Sequence, residues 1–150
     1  PDEPEAHGLL ALMLHCQARS PARYNSDGDF VPLDKQDTAQ WLHPMIEEAE
    51  KHLRTAATFK RLGRYQLEAA IQSIHANRAK TGRTDWHEIA LLYEGLTRIA
   101  PGIGALVGRA VALAESGKPE AGLTALDGIS EDRAPTINPI GLREGICYDD

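Results

Sequence analysis

Apolar residues recur through this chain at the three-to-four spacing of amphipathic helices, and glycine and proline divide them into segments. Leu9, Leu12, Met13 and Cys16 fall at i, i+3, i+4 and i+7, with Pro4 and Glu5 suited to a first turn. This predicts a helix over about residues 5–18 that turns that stripe inward. Residues 19–36 are dense in turn formers, with Asp27-Gly28 the tightest, and predict a long loop pinned by Tyr24, Phe30, Val31 and Leu33. Asp37 and Gln40 have capping-box spacing, so a second helix is expected there, carrying Trp41, Met45, Ala49 and Leu53 inward to about Lys60. Pro44 requires a kink near His43 or a fresh start at the proline.

Leu67, Ala70, Ile71, Ile74 and Arg78 mark the inner edge of a third helix closed by Thr81-Gly82. Asp85 with Glu88 opens a fourth through Trp86, Ile89, Ala90, Tyr93, Leu96 and Ala100, ended by Pro101. Ile103, Leu106, Val107, Ala110, Val111 and Ala114 form one side of a fifth, and Gly117-Lys118-Pro119 is a stop and restart into a sixth over 119–129. Sustained two-residue alternation is absent apart from a residue or two near Phe30, so the expected class is all-α.

The helix pairs 67–100 and 103–129 are offset by about the 34 residues of a tetratricopeptide repeat. Ala112, Gly117, Ala121 and Ala125 stand where small side chains let helices approach, and Pro101 stands at the break between pairs. The expected architecture is a set of antiparallel helix pairs stacked as a short, right-handed, tetratricopeptide-like solenoid over 1–129. Pro135, Pro139, Gly141 and Gly145 make 130–150 an irregular or partly disordered tail.

Composition narrows the function. Apolar residues are 42% and charged residues 25% of the chain, which places it among folded globular proteins. Lys plus Arg number 16 against 22 Asp plus Glu, a net charge of −6 that argues against direct nucleic-acid contact. The longest apolar run, Leu9 to Leu14, is far short of a membrane span, and no signal sequence opens the chain, so a cytoplasmic location without a membrane partner is expected. Cys16 and Cys147 form neither a metal-ligand spacing nor a disulfide framework. An acidic opening at Pro1 without an initiator Met suggests a piece of something longer.

Candidate chemistry is sparse. His7, His15, His43, His52, His75 and His87 invite a metal reading, including a small metalloenzyme, but no pair has ligand spacing backed by carboxylates or thiols on one helix face. Asn25, Asp27, Gly28 and Asp29 approximate a calcium loop with the glycine one place early and Arg23 at the first ligand position. Glu47, Glu48 and Glu50 suit the start of a helix better than paired catalytic acids, and Gly102, Gly104 and Gly108 lack the strand and Lys-Ser/Thr of a phosphate loop. Without a nucleophile in context, the expectation is a protein that is not an enzyme and uses no cofactor or metal. An interaction surface fits better: Asp34, Gln36, Asp37 and Trp41 at a loop-to-helix junction, Arg64 and Tyr65 in a turn, and Asp85 before Trp86. The plainer reading makes Asp37 and Asp85 helix caps and both tryptophans core anchors.

Six blocks in order carry a resemblance: Pro-Glu-Ala-His-Gly-Leu-Leu-Ala-Leu-Met-Leu (4–14), Ser-Pro-Ala-Arg (20–23), Leu-Asp-Lys-Gln-Asp-Thr-Ala-Gln-Trp (33–41), Tyr-Gln-Leu-Glu-Ala-Ala-Ile (65–71), Thr-Asp-Trp-His-Glu-Ile-Ala-Leu-Leu-Tyr (84–93) and Arg-Ala-Val-Ala-Leu-Ala-Glu (109–115). Over about residues 1–128 the chain resembles the C-terminal extension of a bacterial group of extracytoplasmic-function RNA polymerase sigma factors. The resemblance implies a regulatory domain in transcription initiation, acting by protein–protein contact with sigma domains, core RNA polymerase or a signalling partner. The DNA-binding and polymerase-binding domains would then lie outside this chain. Pro44 and the 130–150 tail depart from the pattern, the tail by lacking a further helix pair. A free-standing helical-repeat adaptor that binds a peptide or protein is the alternative.

Overall fold

The computed structural model describes residues 3–129, and the expected tail at 130–150 lies outside them. The described residues are helical: α1 (Pro4–Ala18), α2 (His43–Ala57), α3 (Arg64–Ala76), α4 (Arg78–Thr81), α5 (Trp86–Ile99), α6 (Ile103–Glu115) and α7 (Pro119–Asp127), with 3-10 turns at Ser20–Ala22, Leu33–Lys35 and Thr38–Gln40. Two compact units divide between Thr84 and Asp85.

In the first unit α1 packs on both α2 and α3. The face it buries is Pro4, Gly8, Ala11, Leu12, His15 and Ala18. Of the expected stripe only Leu12 is enclosed, while Leu9 and Met13 are exposed and Cys16, not a free thiol, is half-buried. Periodicity selected the largest apolar residues, whereas packing selected the smallest. A Cβ on Gly8 would sit 2.8 Å from the backbone nitrogen of Gln66 on α3 and 2.9 Å from its Cγ, so the two helices approach at a distance only glycine permits.

The second helix also differs from expectation. Asp37 caps a 3-10 turn, its carboxylate accepting from Ala39 N at 3.0 Å, and α2 begins afresh at His43 with Pro44 in its first turn. Trp41 therefore precedes the helix it was expected to join. The expected continuous third helix breaks at Asn77 into α3 and the short α4, which Gly82 closes in the left-handed region at φ 77°.

The loop before α2 is built as a unit. Tyr24 and Phe30 form an antiparallel bridge with rings edge-on at 6.1 Å. Between them Asn25 Oδ1 accepts from Asp27 N and Asp29 N, both at 2.9 Å, and Gly28 takes φ 82°. The composition that approximated a calcium loop is thus a turn whose asparagine oxygen is already used by backbone.

In the second unit α5 packs on α6 and α6 on α7. Asp85 caps α5 by accepting from Glu88 N at 3.1 Å, as its spacing predicts. Gly108 lies against Tyr93, whose Cζ would be 2.4 Å from an added Cβ, and Gly122 lies 2.7 Å by the same measure from the Ala110 carbonyl oxygen. Small residues again set the helix approach. Lys118 N donates to Leu113 O at 3.0 Å and Gly117 N to Ala114 O at 3.2 Å, with Gly117 at φ 93°; this double bond pattern ends α6 where the sequence placed a stop.

Candidate functional site

The sequence-predicted contact residues fall into three places. Asp34, Gln36, Asp37 and Trp41 share one segment built from two successive 3-10 turns. Arg64 and Tyr65 open α3, and Asp85 belongs to the second unit. The structure brings together the first four but not the three groups.

Within the first group the side chains divide by role. Trp41 is 2% exposed and Gln36 3%, so neither is available to a partner, which corrects their place in the expected surface. The indole Nε1–H of Trp41 donates to Gln36 Oε1 at 3.0 Å, and Gln36 Nε2 donates to the Val31 carbonyl at 3.0 Å. Trp41, Leu33 and Ala22 form a small core against Ile46 and Ala79. A buried indole needs such a partner because an unmet N–H costs about 1–3 kcal/mol.

Arg78 braces the segment from below. Its guanidinium donates to the carbonyl oxygens of Leu33 at 2.7 Å, Gln36 at 3.2 Å and Asp34 at 3.4 Å, and stands 5.3 Å from the Trp41 ring centroid. Burial lowers the Arg78 pKa, and Asp34 acts in the opposite direction. The side chains of Asp34 and Asp37 are left facing outward on a backbone held at several points.

At the start of α3 the decisive residue is one that the sequence assigned only to the first turn of another helix. Gly63 supplies no side chain to cap the helix. Glu5, from α1, does so instead: its carboxylate accepts from Tyr65 N at 2.8 Å and from Gln66 N and Gln66 Nε2 at 3.1 Å each. A carboxylate at a helix N-terminus satisfies orphan N–H groups and meets the positive end of the dipole. Arg64 is exposed, 5.2 Å from the Tyr65 ring centroid and 3.5 Å from Glu68, and Tyr65 is half-buried. Desolvation raises the pKa of Glu68, opposed by Arg64 and reinforced by Glu5. No local pattern could reveal Glu5, whose partners lie some sixty residues away.

The remaining polar clusters hold helices to one another. His15 Nε2 meets Glu50 Oε2 at 2.9 Å, and Ser73 Oγ donates to Glu50 Oε1 at 2.9 Å, tying α1, α2 and α3. The bond to His15, followed by that of Ser73, lowers the Glu50 pKa against the opposing effect of burial. The carboxylate stands between serine and imidazole and clasps the three helices together. Arg19 donates to Gln72 at 2.7 Å in the core, and His75 nearby is pushed down to about 3 by burial and then by Arg19 and Arg78.

The fold and these residues define an all-α chain with a braced, acid-bearing loop segment; among the described residues, no helix is long and apolar enough to cross a membrane. Its first 57 residues match the model of a family of unknown function, DUF6596. An uncharacterized protein of Rhizobium meliloti (strain 1021) is 39% identical over 146 residues, covering 97% of this chain and 34% of that protein. The chain thus spans about a third of the length of this relative. No solved structure matches.

Proposed function

We propose that this chain is a regulatory segment of a sigma factor and works by contact with sigma domains, core RNA polymerase or a signalling partner. The observation that carries the reading is the resemblance of six ordered sequence blocks to the C-terminal extension of such proteins. The similarity to about a third of a longer relative is in keeping with a segment that acts within a larger chain. The packing of α6 on α7 is in keeping with the expected 103–129 helix pair of a tetratricopeptide-like solenoid, whereas the expected 67–100 pair falls across the two units. Asp34 and Asp37 on the braced 33–41 segment, with Arg64, offer charged groups that a partner can reach without disturbing the core.

The test is promoter-specific transcription by the intact protein carrying Asp34→Ala, Asp37→Ala and Arg64→Ala together. The expected result is altered transcription with helical content unchanged. Unchanged transcription by a properly folded triple variant refutes the surface, and the absence of any effect of deleting the whole segment refutes the role in transcription.

A further inference from the structure

Two histidines outside the 33–41 segment meet across the α1–α2 interface. His7, one turn into α1, and His52, in the third turn of α2, point their Nδ1 atoms at each other at 3.1 Å, with ring centroids 5.3 Å apart and planes inclined by 27°. His52 Nε2 stands 3.3 Å from Glu48 Oε2 on the same helix. We propose that His7 and His52 form a two-imidazole binding site for a divalent first-row transition ion, with Glu48 as the carboxylate that orients His52.

The geometry suits chelation. Two nitrogens each about 2.0–2.1 Å from one ion, at angles of 90–110°, lie roughly 2.9–3.4 Å apart, which brackets the observed separation. Glu48 Oε2, 3.3 Å from Nε2, favours the His52 tautomer that carries its hydrogen on Nε2 and keeps the Nδ1 lone pair toward His7. The Nδ1···Nδ1 contact then takes its hydrogen from His7. Binding an ion needs that hydrogen to move to His7 Nε2, after which the two Nδ1 lone pairs face each other and a tilt of the rings brings both onto one ion. Both rings are half-buried at a seam between helices, which limits the conformational freedom lost on binding. No group of three or more His, Cys, Asp or Glu is placed to hold a metal among the described residues, so these residues supply two donors and water can complete the shell. Such a site is structural: it pins the start of α1 to α2, near the point where Glu5 caps α3.

The probe is Cu(II) or Zn(II) alone, titrated into the full chain and followed by calorimetry and by imidazole resonances. The expected result is one equivalent bound, tighter for Cu(II) than for Zn(II), with substoichiometric Cu(II) broadening His7 and His52 first. His7→Asn and His52→Asn abolish that binding, whereas His43→Gln and His87→Gln retain it. Binding no tighter in the wild type than in the His7→Asn/His52→Asn double variant overturns the proposal. Broadening that falls equally on all six histidines does the same, and that readout needs no variant to fold.

Discussion

Replacing Glu5 by alanine should destabilise the first unit through a helix it does not belong to. The carboxylate accepts three hydrogen bonds at the start of α3, two from backbone N–H groups and one from Gln66 Nε2. A hydrogen bond to a charged group contributes about 1.5–3 kcal/mol, but loss of a whole helix cap costs about 0.5–2 kcal/mol because water replaces part of it. Glu5 is half-buried, so water replaces the lost bonds incompletely and the cost should be about 2 kcal/mol. For a unit of this size that corresponds to a melting temperature lower by about 8–16 °C. Glu3→Ala is the control: Glu3 is exposed and accepts only from Glu5 N at 3.3 Å, and its loss should cost under about 1 kcal/mol.

Gly63 is coupled to the same cap. A Cβ there would lie 2.3 Å from the Glu5 carboxyl carbon, so Gly63→Ala should displace the cap and reproduce most of the Glu5→Ala loss. In a Glu5→Ala background the space is vacant, and the backbone at φ −142° is open to any residue, so the same change should be nearly neutral. Urea denaturation of the four proteins in this cycle, followed by far-ultraviolet circular dichroism, measures the coupling. Equal cost of Gly63→Ala in both backgrounds, or a Glu5→Ala loss below about 0.5 kcal/mol, would exclude Glu5 as the cap of α3.

Gly108→Ala should destabilise the second unit by about 1–3 kcal/mol, because its Cβ meets the buried Tyr93 ring; urea midpoints check this, with exposed Gly104→Ala as a harmless comparison. Arg78→Ala should release the carbonyl oxygens of residues 33, 34 and 36 and speed proteolysis between 19 and 42. Arg78→Lys should not restore protection, since an ammonium cannot reproduce the guanidinium fork; limited proteolysis with mass spectrometry reads both. His75 is held neutral in the fold, so the unfolded chain takes up its proton first as the pH falls. Stability should drop from its ordinary value of 6.5 down to about 3, by about 1.4 kcal/mol at pH 5.5. His75→Gln should remove that part of the acid sensitivity in pH-dependent melts. The Glu50 carboxylate, lowered by His15, adds a loss at more acidic pH as it too becomes protonated, and His15→Gln should diminish it.

Helix existence and many helix ends were legible from residue order because they rest on local chemistry. Asp85 and Glu88, the Gly117-Lys118-Pro119 break and Gly82 act within one turn of themselves, so the caps and stops they predict are present. Pro44 likewise offered two outcomes, both local, and α2 takes the fresh start. What periodicity could not decide was which face of α1 turns inward. That depends on how closely α2 and α3 approach, and Gly8, Ala11 and Ala18 allow a contact that buries them in preference to Leu9 and Met13. Nor could spacing separate the roles of Gln36 and Trp41 from those of Asp34 and Asp37, because around two 3-10 turns the buried residues Leu33, Gln36 and Trp41 stand three and then five positions apart, a spacing of neither one helix nor one strand. Glu5, Arg78 and the His7–His52 pair took their places only in three dimensions. Each acts on atoms far away in the chain, a separation across which sequence carries residue types and tertiary packing alone supplies distance.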